Sequence, residues 1–140
     1  MNILVSACLM GVHCRYNGEG EWDRQIESLM KKHHLIPICP EIMGGLATPR
    51  EPAEISGRRV MTCSGKDVTD EYKRGAEEIL ALADRFGCTH AILKKRSPSC
   101  GSGRIYDGTF SKILIPGDGM CAALLKAHGI QVCGEGEFKE

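Results

Sequence analysis

The sequence predicts one α/β domain over residues 1–140, built on a mostly parallel sheet. Three observations carry that expectation. Short apolar runs at 2–7 (NILVSA), 35–39 (LIPIC), 90–93 (HAIL) and 130–133 (IQVC) read as buried strands. Stretches with helical spacing lie between them. The chain has single-domain length, and its 42% hydrophobic and 26% charged residues are enough to close a core without disulfide staples. Strands alternating with helices imply βαβ units with right-handed crossovers, hence a compact Rossmann-like sandwich.

Each element has its own signal. Residues 2–7 are rich in Ile and Val and end at Cys8, and 11–20 form a turn-rich loop. Ile26, Leu29 and Met30 are spaced for a helix over 22–33. Pro37 interrupts the run at 35–39 and argues against a central strand there. Residues 40–66 read as a long irregular stretch with a small strand at 60–63; loops this long are uncommon and often functional. Thr69 is the expected N-cap of a helix with the stripe Tyr72, Ala76, Ile79, Leu80 and Ala83, closed by Gly87. A Gly/Ser-rich loop follows at 97–108, then a short strand at 110–115, then a helix at 118–128 closed by Gly129.

Composition excludes several classes. Lys and Arg (18) balance Asp and Glu (18), so the chain lacks the basic footprint of a nucleic-acid binder. Aromatic residues, at 5%, are too few for a base-stacking platform. The apolar segment at 1–12 is too short to span a membrane and lacks the flanks of a signal peptide. A cytoplasmic protein acting on a small molecule is expected.

Eight cysteines in such a chain point to metal or thiol chemistry. Cys8 follows the first strand, Cys39 ends the second, and Cys100 lies in the loop after the third. In open parallel sheets, ligands bind outside the carboxyl ends of the strands. Converging thiolates there suit zinc or an iron–sulfur cluster, although no C-x₂-C pair is present and buried core cysteines are the ordinary alternative. Glu41, two residues past Cys39, is a candidate ligand or acid–base group. The glycines of 97–103 could turn backbone N–H groups inward as an anion nest, with serine hydroxyls beside them. Lys94, Lys95, Arg96, Arg15, Arg50 and Arg104 could form a positive rim or a solvated face. Cys14 divides two outcomes. Four thiolates would close the site, as in a non-enzymatic redox sensor or interaction module binding zinc or iron–sulfur; three would leave a position open for substrate.

The segments VSACLMGVHCRYNG (5–18), CPEIMGGLATPREPAEI (39–55), DVTDEYKRGAEE (67–78), LKKRSPSCGSGRIYDGTFS (93–111) and PGDGMCAALL (116–125) resemble the DUF523 family of small bacterial proteins. The resemblance covers about residues 2–133. That family includes thiouracil desulfidases, so the resemblance implies a [4Fe–4S] cluster on Cys8, Cys39 and Cys100 with one iron open to substrate sulfur. Zinc is the expected substitute in an aerobic sample. It further implies Glu41 as the acid–base carboxylate, with Ser97 favoured over Ser99 as the assisting serine. Ser99, Gly101 and Ser102 would then orient the base. The reaction implied is hydrolytic and non-redox: a thiolated pyrimidine gives the oxo base and hydrogen sulfide. Cys14 matches a position where relatives can carry a non-thiol residue and stays outside the implied ligand set.

Overall fold

A computed structural model describes residues 1–139. The sheet has four strands, β1 (Asn2–Ser6), β2 (His34–Ile38), β5 (His90–Leu93) and β8 (Gln131–Gly134), in the order β2-β1-β5-β8. Every pairing in it is parallel, with Leu4 opposite Ile36 and Ala91, and Ala91 opposite Val132. Pro37 is accommodated because β2 is an edge strand. Side chains alternate across the sheet. Leu4, Ala91 and Leu93 pack against the long helix α3 (Thr69–Arg85) and α4 (Met120–Ala127) through Ala76, Ile79, Ala83, Cys121 and Leu125. Ile3, Val5 and Ile92 face the other way, onto Ile26 and Leu29 of α1 (Arg24–Leu29) and Phe138. The result is the α/β sandwich expected, and no helix among the described residues is long and apolar enough to cross a membrane.

Several expectations need correction. The helix expected over 22–33 is only Arg24–Leu29. Asp23 caps it, accepting from the Gln25 amide at 2.8 Å, and the chain must turn at once because His34 already pairs with Asn2. The stretch 40–66 is not structureless. It holds a one-turn helix α2 (Pro40–Met43) and an antiparallel hairpin, β3 (Ala53–Ser56) with β4 (Arg59–Thr62). The strand expected at 110–115 is β7 (Leu114–Pro116), paired with β6 (Arg104–Tyr106) inside the supposed loop 97–108. Phe110 and Lys112 have φ of 58° and 61°, a turn conformation that no strand allows.

Thr69 is the first helical residue of α3, not its cap. Asp67 accepts from the Thr69 amide at 2.9 Å and from its hydroxyl at 2.6 Å, while that hydroxyl accepts from the Val60 amide. Bonds from Thr69, reinforced by Arg59, hold the exposed Asp67 carboxyl down at about 2. A folded-state pKa lowered this way contributes stability above the unfolded value of about 3.9, and that contribution disappears as pH falls through the folded value. Asp67→Asn is therefore expected to lower the melting temperature at pH 6, with the gap to wild type closing as pH falls toward the folded-state value. A gap independent of pH would show that the charge plays no part.

Candidate active site

The carboxyl ends of β1, β2 and β5 open onto one cavity of about 350 Å³. Past Ser6 the chain enters a 3₁₀ turn, Ala7–Met10, which carries Cys8. Past Ile38 it gives Cys39, the N-cap of α2, followed by Pro40 at the first helical position and Glu41. Past Leu93 the loop returns with Ser97, Ser99 and Cys100. Cys8, Cys39, Glu41, Ser97, Ser99 and Cys100 all line the cavity, together with Cys14. Cys8, Cys14 and Cys100 are buried and Cys39 is half-buried.

Close backbone contacts hold these pieces. A methyl group on Gly75 of α3 would lie 1.8 Å from the Pro40 carbonyl oxygen, and one on Gly44 would lie 1.9 Å from that of Glu71. Only hydrogen at both positions lets α2 sit directly on α3. The serine loop is fixed by α4. The otherwise orphan amides of Met120 and Cys121 donate to the carbonyls of Pro98 and Ser99, each at 2.9 Å.

The serines divide their tasks. Ser99 Oγ donates to Glu41 Oε2 at 2.9 Å and lies 3.6 Å from Cys100 Sγ. Ser97 Oγ accepts the amides of Ser99 and Cys100, both at 3.1 Å, and lies 2.9 Å from Ser99 Oγ. The Gly101 amide donates to the Ser97 carbonyl at 2.8 Å. The amides of 99–101 thus turn back onto their own loop and do not form the inward-facing nest expected. Gly101 and Ser102, expected to orient a base, are not in the cavity wall. Ser6 Oγ, which the sequence reading did not single out, donates to Cys100 Sγ at 3.4 Å and accepts the Lys94 amide at 2.9 Å.

Arg50 closes the other side of Glu41. Its Nε donates to Glu41 Oε1 at 3.0 Å, and the two side chains are only 9% and 14% exposed. Tyr72, fully buried, also contacts Glu41; burial first, then that carboxylate, push its phenol well above the usual range. The expected positive rim is largely compensated: Lys94 pairs with Glu135 at 2.8 Å and Glu21 at 3.0 Å, and Arg15 also faces Glu21.

Three of the site thiols, Cys14, Cys39 and Cys100, are held above the usual thiol range. Burial pushes Cys100 up to about 12, and Cys39 is raised by its hydrogen bond with Cys14 and by burial. In Cys14 the bond with Cys39 pulls down, but the bond with Cys8 and burial outweigh it. Metal uptake must therefore release protons, since only thiolates ligate. Among the described residues, no group of three or more His, Cys, Asp or Glu side chains is set to hold a single ion. A zinc ion needs donors within about 2.0–2.3 Å of one centre. Cys8, Cys39 and Cys100 line one cavity as soft sulfur donors, which suit a cluster that brings its own iron and sulfide. Elsewhere, Cys88 and Cys121 are core residues, Cys133 is half-buried, and Cys63 is exposed beside Glu51 and Ser64.

A parallel sheet whose carboxyl edge gathers thiols beside a clamped carboxylate defines a small α/β protein of thiol-centred chemistry. The chain belongs to the 2-thiouracil desulfurase family, whose model matches residues 3–137. It is similar to the uncharacterized protein YbbK of Bacillus subtilis (strain 168), 46% identical over 99% of this chain and 98% of that one. Among solved structures it is similar to the [4Fe–4S]-dependent thiouracil desulfidase TudS. That match has 48% identity and a TM-score of 0.91, covering 96% of this chain and 90% of the other.

Proposed function

We propose that this chain, as a single domain of residues 1–140, is an iron–sulfur enzyme that removes sulfur from a small thiolated pyrimidine of the 2-thiouracil type. The balance is hydrolytic: thiobase and water give oxo base and hydrogen sulfide, with no electron donor. The observation that carries this reading is the Glu41–Ser99 pair, facing the same cavity as the three strand-end cysteines. Family membership and the likeness to a [4Fe–4S]-dependent desulfidase support it.

Cys8, Cys39 and Cys100 would hold the cluster. When bound, it supplies a soft Lewis acid suited to thiocarbonyl sulfur. Glu41 takes the proton from the attacking water, or moves one to the ring nitrogen. The carboxylate accepts from Arg50, Ser99 and Tyr72, and its remaining acceptor capacity can take a proton. Ser97 was the serine favoured from sequence, and it keeps a place as the half-buried end of the chain Ser97–Ser99–Glu41. Its oxygen is occupied by two amides, which leaves its proton free to donate toward Ser99 or the substrate. Ser99, not Ser97, is the serine that touches the carboxylate.

One observation favours a second reading: Cys14 touches both Cys8 and Cys39, which places a fourth thiol at the site. A four-thiolate centre would suit a sensor and not an enzyme. Anaerobic reconstitution separates the two. The enzyme reading predicts about four irons per chain in wild type and Cys14→Ser, with loss of iron in Cys100→Ala. If Cys14→Ser also loses its iron, the closed-site reading gains.

A further inference from the structure

Arg50 stands out in the sequence only as one of several basic residues. In the structure its side chain is only 9% exposed and its guanidinium makes four hydrogen bonds: Nε to Glu41 Oε1 at 3.0 Å, Nη2 to the Cys14 carbonyl at 2.9 Å, and Nη1 to the Ala47 carbonyl at 3.2 Å and Thr48 Oγ1 at 3.1 Å. Its own amide donates to the Tyr16 carbonyl at 2.8 Å. Residue 50 therefore joins three separate pieces: α2 with Glu41, the wall segment Cys14–Arg15–Tyr16, and the turn at 47–48. With Arg50 on Oε1 and Ser99 on Oε2, the carboxylate is gripped by both oxygens.

We propose that Arg50 is the positioning residue of this site. It sets the plane of the Glu41 carboxylate and, through the same guanidinium, ties the Cys14–Tyr16 wall to it, so that wall and acid–base group form one rigid unit. This rests on the functional reading above for what Glu41 does, but not for the clamp itself. A surface ion pair contributes little, whereas this one is largely shielded from solvent and shared among acceptors that only a planar fork can reach together. Lysine offers one charge centre and cannot span them.

The test uses reconstituted Arg50→Lys and Arg50→Ala proteins, with 2-thiouracil as substrate. The expected result is unchanged iron content, KM altered little, and kcat lowered about 10²-fold in Arg50→Lys, the scale of a misplaced reacting group. Added guanidinium ion should restore part of kcat in Arg50→Ala and none in Glu41→Gln. Wild-type kcat in Arg50→Lys, or no guanidinium rescue of a folded Arg50→Ala, would overturn the assignment. Iodoacetamide labelling of the cluster-free chains provides a readout independent of turnover. Cys14 should be alkylated faster in both variants than in wild type, and equal rates would overturn the clamp. Wild-type protein that loads a cluster yet releases no sulfide would count against the desulfidase reading alone, leaving the clamp to be decided by the labelling rates.

Discussion

Exchange of Glu41 for glutamine is expected to lower sulfide release from 2-thiouracil by roughly 10²–10⁴-fold, the usual range for loss of a general acid–base group. The substitution keeps size and shape, and the amide oxygen can still accept from Arg50 Nε. The position of Oε2 is then taken by an NH₂ group, which donates to Ser99 where the carboxylate accepted from it. The variant loses the base and reverses the hydroxyl chain, but it removes no thiol. Iron content after anaerobic reconstitution should match wild type, while the melting temperature should fall, because the nearly buried Arg50 guanidinium loses its counter-charge. Turnover, iron content and melting curve measured on one preparation decide the matter. A variant that keeps wild-type turnover removes Glu41 from the chemistry; one that loses iron makes it a cluster-site residue instead.

The second large effect lies outside the cavity wall. Gly75→Ala, in the middle of α3, would ordinarily stabilise a helix by about 1 kcal/mol. Here the added methyl would meet the Pro40 carbonyl at 1.8 Å, so α2 must lift by more than an ångström. Overpacking of this kind costs about 1–3 kcal/mol, or roughly 3–15 °C in melting temperature for a domain of this size. The functional loss should be greater than the stability loss. Pro40 sits between Cys39 and Glu41, so one displacement moves a proposed ligand and the proposed base together. Reduced iron loading and turnover in a variant that is still folded at the assay temperature is the expected outcome. A melting temperature at or above wild type would mean that the packing of α2 on α3 is looser than the backbone distances imply.

The main sheet was legible because burial on both faces leaves continuous apolar runs, as at 2–7 and 90–93. The placement of Cys8, Cys39 and Cys100 at one edge followed from topology alone, since parallel strands share a carboxyl end. What stayed hidden depends on contacts distant in sequence. Ser99 reaches Glu41 across 58 residues, and nothing in the spacing of Ser97 and Ser99 distinguishes two hydroxyls two positions apart. Folding does so, because the loop's own amides claim Ser97. Arg50 looked like part of a charged rim because its partners, including the Cys14 carbonyl, are backbone and side-chain groups that no charge count reveals. Of the hairpin at Ala53–Thr62, the second strand is legible as the short run at 60–63, whereas its partner Ala53–Ser56 is masked by Pro/Gly-rich surroundings. Gly75 did leave a signal: a glycine inside a strong helical stripe marks a close approach. The identity of the cluster and the substrate came from the resemblance, not from spacing, since no C-x₂-C pair announces an iron–sulfur site.

A clamped carboxylate and a cluster on three cysteines are proposed here to remove sulfur by hydrolysis. The most direct measurement is to incubate anaerobically reconstituted protein with 2-thiouracil in the absence of any electron donor, following base, sulfide and the visible spectrum together. Hydrolysis at such a site predicts uracil and sulfide in equal amounts over many turnovers, with a cluster absorption that shifts when the thiobase is added. A cluster-loaded protein that leaves 2-thiouracil intact, or that yields sulfide only when a reductant is supplied, would contradict it.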